Sequence, residues 1–138
     1  MRRSFELPLW ALLWALLPLS ASCGGPAVSL QLRPASSVDT SSARSLTINV
    51  GEGDDATRLP MVLDRTKQAH LPPIEIDPTV PVRLDVWICK TDVCSASDLA
   101  FRGCTPVPID VSAADGIVPV TIDIFSVDDP HVDDCPAL

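Results

Sequence analysis

Residues 82–88 read Val82-Arg83-Leu84-Asp85-Val86-Trp87-Ile88. Val82, Leu84, Val86 and Ile88 take every second position, with Arg83, Asp85 and Trp87 between them. Successive side chains of a β-strand point to opposite faces, so this spacing builds one aliphatic face. The same rhythm recurs on both sides of the stretch. It appears in Val28, Leu30 and Leu32; in Leu46, Ile48 and Val50; in Ile74 and Ile76; in Val107, Ile109 and Val111; and in Val118, Val120, Ile122 and Ile124. Leu59 to Leu63 and Leu99 to Gly103 are shorter candidates. Sustained helical periodicity is missing from residue 23 onward.

These runs predict seven or eight short strands separated by Gly, Pro, Asp and Ser. The expected fold is all-β, an immunoglobulin-like antiparallel β-sandwich of about seven strands, with a small β-barrel as the alternative. Pro81, Pro108 and Pro119 fall within strand-like runs, and proline cannot donate to a ladder, so strand starts or edges are expected there. Residues 35–45 are small and polar and read as a loop or linker. The 138 residues suit one domain, expected over residues 28–138. Trp87 lies on the strand face opposite Val86 and Ile88. It is expected either to pack under a loop or to mark an exposed binding patch.

The chain carries 10 Lys+Arg against 18 Asp+Glu, a formal charge of −8. That balance argues against nucleic acid as partner, because phosphate binding needs a basic patch. Aromatic residues are 4% and tyrosine is absent, so a base-stacking platform is also excluded. Apolar residues make up 46%, too many for an acidic disordered chain.

The first 22 residues read as an address. Arg2 and Arg3 precede an apolar stretch of 13 residues, Leu7 to Leu19, and then Ser20-Ala21-Ser22. This is the three-part layout of a secretory signal peptide. The stretch is shorter than the roughly 20 residues a spanning helix needs. Its removal takes away Arg2, Arg3 and Glu6, leaving 8 Lys+Arg against 17 Asp+Glu.

Leu19-Ser20-Ala21-Ser22-Cys23 resembles a bacterial lipoprotein signal, although Leu stands one position earlier than that family usually has it. The resemblance covers the first 23 residues and bears on targeting. It implies lipidation of Cys23, a leash over residues 23–27, and tethering to a membrane through the N-terminal lipid. Without a negative charge beside the cysteine, the resemblance points to the outer membrane or cell surface of a bacterial envelope.

Cysteine parity agrees with that implication. Five cysteines leave one over in an exported protein, and a lipidated Cys23 leaves Cys89, Cys94, Cys104 and Cys135 for two disulfides. Four cysteines allow three pairings. Cys89 with Cys94 would clamp the turn between two strands, and Cys104 with Cys135 would pin the C-terminal tail. Four residues separate Cys89 from Cys94, wider than the pairs of zinc ribbons and redox sites, and an oxidising compartment favours bridges.

No GxSxG, HExxH or phosphate-binding glycine loop is present, and His70 and His131 are the two histidines. An enzyme is therefore not expected. The acidic clusters are Glu52, Asp54 and Asp55, and Asp128, Asp129, Asp133 and Asp134. They could supply oxygens to Ca²⁺ if both segments converged on one point. No other cofactor is expected. The leading expectation is a non-catalytic surface interaction or structural module meeting a protein or polysaccharide through loops or a sheet edge. The alternative is a calcium-binding module.

Overall fold

The structure is a computed structural model describing residues 25–63 and 71–138. It is all-β, with seven strands: β1 (Ala27–Pro34), β2 (Ser45–Val50), β3 (Thr57–Val62), β4 (Ile74–Glu75), β5 (Leu84–Cys89), β6 (Leu99–Cys104) and β7 (Ile117–Ser126). They form one mixed sheet in the order β3-β2-β5-β6-β7-β1-β4, curled into a half-barrel. Among the described residues the only helical pieces are short 3-10 turns, at Gly53–Asp55, Ala96–Asp98 and Pro130–Asp134.

The decisive stretch behaves as its alternation demands. Leu84, Val86 and Ile88 point inward, where they meet Val28 and Leu30 of β1, Leu46 and Ile48 of β2, Phe101 of β6, and Ile122 and Ile124 of β7. Burying each such aliphatic side chain contributes roughly 1.5–3 kcal/mol. The outward residues of β5 are buried too, so this strand is covered on both faces.

Ladder direction departs from the all-antiparallel expectation. β2 with β3, β2 with β5, β5 with β6, β6 with β7 and β1 with β4 are antiparallel, but β1 runs parallel to β7 from Ala27↔Ile117 to Pro34↔Ile124. Alternation reports which face a residue takes. It carries no information on which way a partner strand runs.

β6 and β7 pair through Phe101↔Ser126 and Arg102↔Phe125 alone. The curl passes through this narrow join. At Gly103 an added Cβ would collide with the Asp123 carbonyl oxygen, so only glycine allows this approach.

Two strand expectations are corrected. Val107–Val111 contributes a single bridge, Val82↔Ile109, rather than a strand, because Pro106 and Pro108 cannot donate to a ladder. Val82 precedes its strand, which begins at Leu84. Residues 35–44 form a loop, as expected, and it is not idle: Ala43 is buried and Val38 packs on the core. At the other end, β1 already begins at Ala27, the last residue of the expected leash. Cys23 and His70 lie outside the described residues.

Candidate functional site

Two regions carry polar chemistry, the outer face of β5–β6 and the open side of the half-barrel. On the outer face, cross-strand pairing sets Trp87 opposite Arg102. The Asp85 carboxylate accepts Arg102 Nε at 2.9 Å, Arg102 Nη2 at 2.8 Å and the Trp87 indole N–H at 2.8 Å. The ion-paired side chains are only 5% and 7% exposed. Arg102 Nη2 also donates to the Pro136 carbonyl in the C-terminal strap. The disulfides join Cys89 to Cys94 and Cys104 to Cys135, the pairing expected, and the second ties that strap to β6.

Trp87 packs with Cys89 and Leu99, flanked by Cys94 and Val127, and the Arg58 guanidinium lies 5.6 Å from its ring centre. It is 7% exposed. Trp87 therefore marks no exposed patch. It is the roof of a second small core, and its charges are matched by hydrogen bonds as buried charges must be.

Among the described residues no group of three or more His, Cys, Asp or Glu side chains is placed to hold a metal ion. Glu52 Oε1 instead lies 3.0 Å from Arg83 Nε, whose N–H is not aimed at it, so the contact is Coulombic. Asp54 and Asp55 are exposed on the first 3-10 turn. Asp133 and Asp134 belong to the last one, and Asp128 precedes its N-cap. Asp129 caps that turn, accepting the backbone N–H of His131 at 3.0 Å and contacting its Nδ1 at 2.7 Å. The backbone N–H first, then the ring, holds the Asp129 carboxyl below the usual carboxylate range. His131 itself stacks on Phe125 with ring centres 4.7 Å apart. Of the seven candidate carboxylates, Asp129 caps its own turn and Glu52 faces Arg83.

The open side holds a cavity of about 1030 Å³. Its lining includes Leu30 and Leu32 of β1, Leu46 of β2, Leu63, Leu71, Ile88 and Ile124, with Ser29, Gln31, Thr40 and Ser41 at the rim. A second cavity, about 540 Å³, lies between the β2–β3 hairpin and β4, lined by Ile48, Leu59, Met61, Pro72 and Ile74.

The wall of the larger cavity includes a strand edge, and hydrogen-bond parity identifies its free groups. Ala27 N–H donates to the Gly116 carbonyl at 3.3 Å and Ala35 N–H to the Ile124 carbonyl at 2.9 Å, so the odd-numbered residues of β1 turn their backbone groups toward β7. Ile76 N–H donates to the Pro26 carbonyl at 3.1 Å, so the even-numbered ones turn the other way, toward β4. β4 pairs only with Ala27 and Val28. Beyond it, among the described residues, the N–H and C=O of Leu30, the N–H and C=O of Leu32 and the C=O of Pro34 face no partner strand. Continuing the Val28↔Ile74 register would place Pro72 opposite Leu30, and Pro72 has no N–H to give. Pro34 obeys the same logic, since its missing donor falls on the unpaired side.

Sequence reading missed this edge. Alternation assigns faces and does not say where a ladder stops. The available signal was Pro34 together with Pro72-Pro73. It also missed Asp85 with Arg102, which sit 17 residues apart and meet only once β5 and β6 pair.

The chain matches no protein-family model, no curated protein and no solved structure.

Proposed function

We propose that this chain is an exported, lipid-anchored, non-catalytic interaction module that meets its partner along the open side of the half-barrel. The observation carrying this reading is a cavity of about 1030 Å³ whose wall includes a β1 edge that, among the described residues, pairs beyond β7 only with β4 at Ala27 and Val28. Buried backbone groups are nearly always paired, so a free edge in a cavity wall is a place where another molecule completes the sheet. The described lining is aliphatic, with hydroxyls and an amide at the rim, which suits binding through shape and neutral hydrogen bonds. The signal-like residues 1–22 and Cys23 support export and tethering, and the two disulfides fit an oxidising compartment. The charge of −8 argues against nucleic acid and against an anionic surface as partner.

A photo-cross-linker placed at Gln31 and, as control, at Val93 tests the reading in intact cells. Gln31 is an exposed rim residue, and Val93 is 78% exposed on the disulfide-clamped turn. A discrete envelope product from Gln31 and none from Val93 is expected. Mass spectrometry of the membrane-extracted protein should find an acylated Cys23, and Cys23→Ser should release the domain from membranes. Equal cross-linking from both positions, or an unmodified Cys23 in a soluble protein, overturns the reading.

A further inference from the structure

We propose that the Cys104–Cys135 bridge is a redox latch: a dithiol reductant opens it while the sheet stays folded, and the tail over residues 133–138 then leaves the outer face of β5–β6. Neither cysteine and no residue of this tail lines either cavity, so the latch is independent of what the open side binds.

Topology makes a local opening feasible. β7 ends at Ser126, so the tail follows the last described strand and its departure breaks no ladder. Val132 is 7% exposed and His131 stacks on Phe125, and these two contacts hold the last 3-10 turn in place. Beyond Val132 no side chain is fully buried. Cys135 N–H donates to the Val132 carbonyl at 3.0 Å, within its own turn. Among the described residues, the ties from this tail to the sheet are the bridge itself and the Arg102 Nη2 bond to the Pro136 carbonyl. Asp133 and Asp134 are exposed in a chain of charge −8, so like-charge repulsion favours departure once the covalent tie is cut.

The two bridges differ in what an attacking thiolate would meet. Cys89 is 0% exposed and packs with Trp87 and Leu99. Attack on its sulfur is blocked. Attack on Cys94 would expel the Cys89 thiolate into apolar surroundings, where it is disfavoured and leaves slowly. Cys104 and Cys135 are both half-buried, so either sulfur can be reached and either can leave toward water. In the proposed step one thiolate of the dithiol attacks Cys135 Sγ, the S–S bond breaks, and Cys104 departs as a thiolate that takes up a proton. The second thiol of the reductant then attacks the mixed disulfide, which releases Cys135 as a thiol and leaves the reductant as its own disulfide. Two electrons pass from the dithiol to the bridge. Opening withdraws the Pro136 carbonyl from Arg102, and the Nη2 N–H it occupied becomes available to an oxygen of another molecule.

The test treats the full protein with dithiothreitol under native conditions, traps thiols with iodoacetamide at intervals, and locates them by peptide mass spectrometry. Cys104 and Cys135 should be alkylated at least about tenfold faster than Cys89 and Cys94. In protein alkylated at Cys104 and Cys135 alone, amide exchange should quicken by at least about tenfold at Cys135 and by less than about threefold at Val86 and Ile122. The paired variant Cys104→Ser with Cys135→Ser should show the same pattern without reductant. Equal alkylation rates at the two bridges overturn the proposal. So does a Cys135 amide that keeps its protection after reduction. Exchange that rises together at Cys135, Val86 and Ile122 also overturns it, because the bridge would then be a staple of the whole sheet.

Discussion

Replacing Asp85 by alanine isolates the outer-face network from the rest of the fold. The substitution leaves the Arg102 guanidinium, whose side chain is 5% exposed, with the Pro136 carbonyl as its remaining partner, and it strands the Trp87 indole N–H. Breaking one side of a buried pair costs about 3–5 kcal/mol because the surviving charge stays desolvated. Total stability of a domain this size is about 5–15 kcal/mol, so the loss is a large fraction of it. At about 4 °C per kcal/mol, the midpoint of thermal unfolding should fall by about 12–20 °C. Circular dichroism during heating, with urea unfolding at 25 °C, gives both quantities. The double variant Asp85→Leu with Arg102→Met should recover most of the loss, since an apolar pair of similar volume leaves no unmatched charge. A cost below about 1 kcal/mol for Asp85→Ala, or losses in the two single variants that simply add in the double, would refute the reasoning.

Other consequences are open to measurement. Removing the Cys104–Cys135 bridge by paired serine substitution should cost about 3–4 kcal/mol, because it closes a 31-residue separation, and removing Cys89–Cys94 should cost about 2 kcal/mol; chemical unfolding ranks them. Gly103→Ala should destabilise by at least about 1–3 kcal/mol, since its Cβ would collide with the Asp123 carbonyl oxygen and the Ile122 side chain, and an unchanged unfolding midpoint would contradict the close approach of β6 to β7. Acid should weaken the fold. The Arg33 guanidinium holds the Asp123 carboxyl below its usual 3.8, and hydrogen bonds from Thr79 and Ser112 do the same for Asp77 and Asp110. Folded carboxyls that bind protons less readily than unfolded ones give stability that is complete above the unfolded value and disappears as pH falls through the lowered folded values. Unfolding midpoints should therefore be level near neutrality and decline below about pH 4. Asp123→Asn should flatten part of that decline.

Much of the architecture was readable because face and alternation are local properties. Leu84 to Ile88 carried its own assignment, and so did Leu46 to Val50 and Ile122 to Ile124. The cysteine pairing followed from strand ends, since Cys89 and Cys104 close their strands and each bridge ties the sheet to a neighbouring segment. What stayed hidden was everything that depends on pairing partners. The parallel ladder of β1 on β7 and the Asp85–Arg102–Trp87 network exist only after distant strands come together. Val107 to Val111 misled because its alternation is real while Pro106 and Pro108 remove donors a strand would need. The acidic segments looked like ligands because a carboxylate that caps its own turn, as Asp129 does, has the same composition as one that coordinates a cation.

Residue-resolved amide hydrogen exchange along β1 of the free protein bears most directly on the unpaired edge. The account predicts alternation: slow exchange at Ser29, Gln31 and Arg33, whose amides face β7, and fast exchange at Leu30 and Leu32, whose amides face the cavity. Uniform protection from Ser29 to Arg33 would mean that the edge is already paired, and would contradict it.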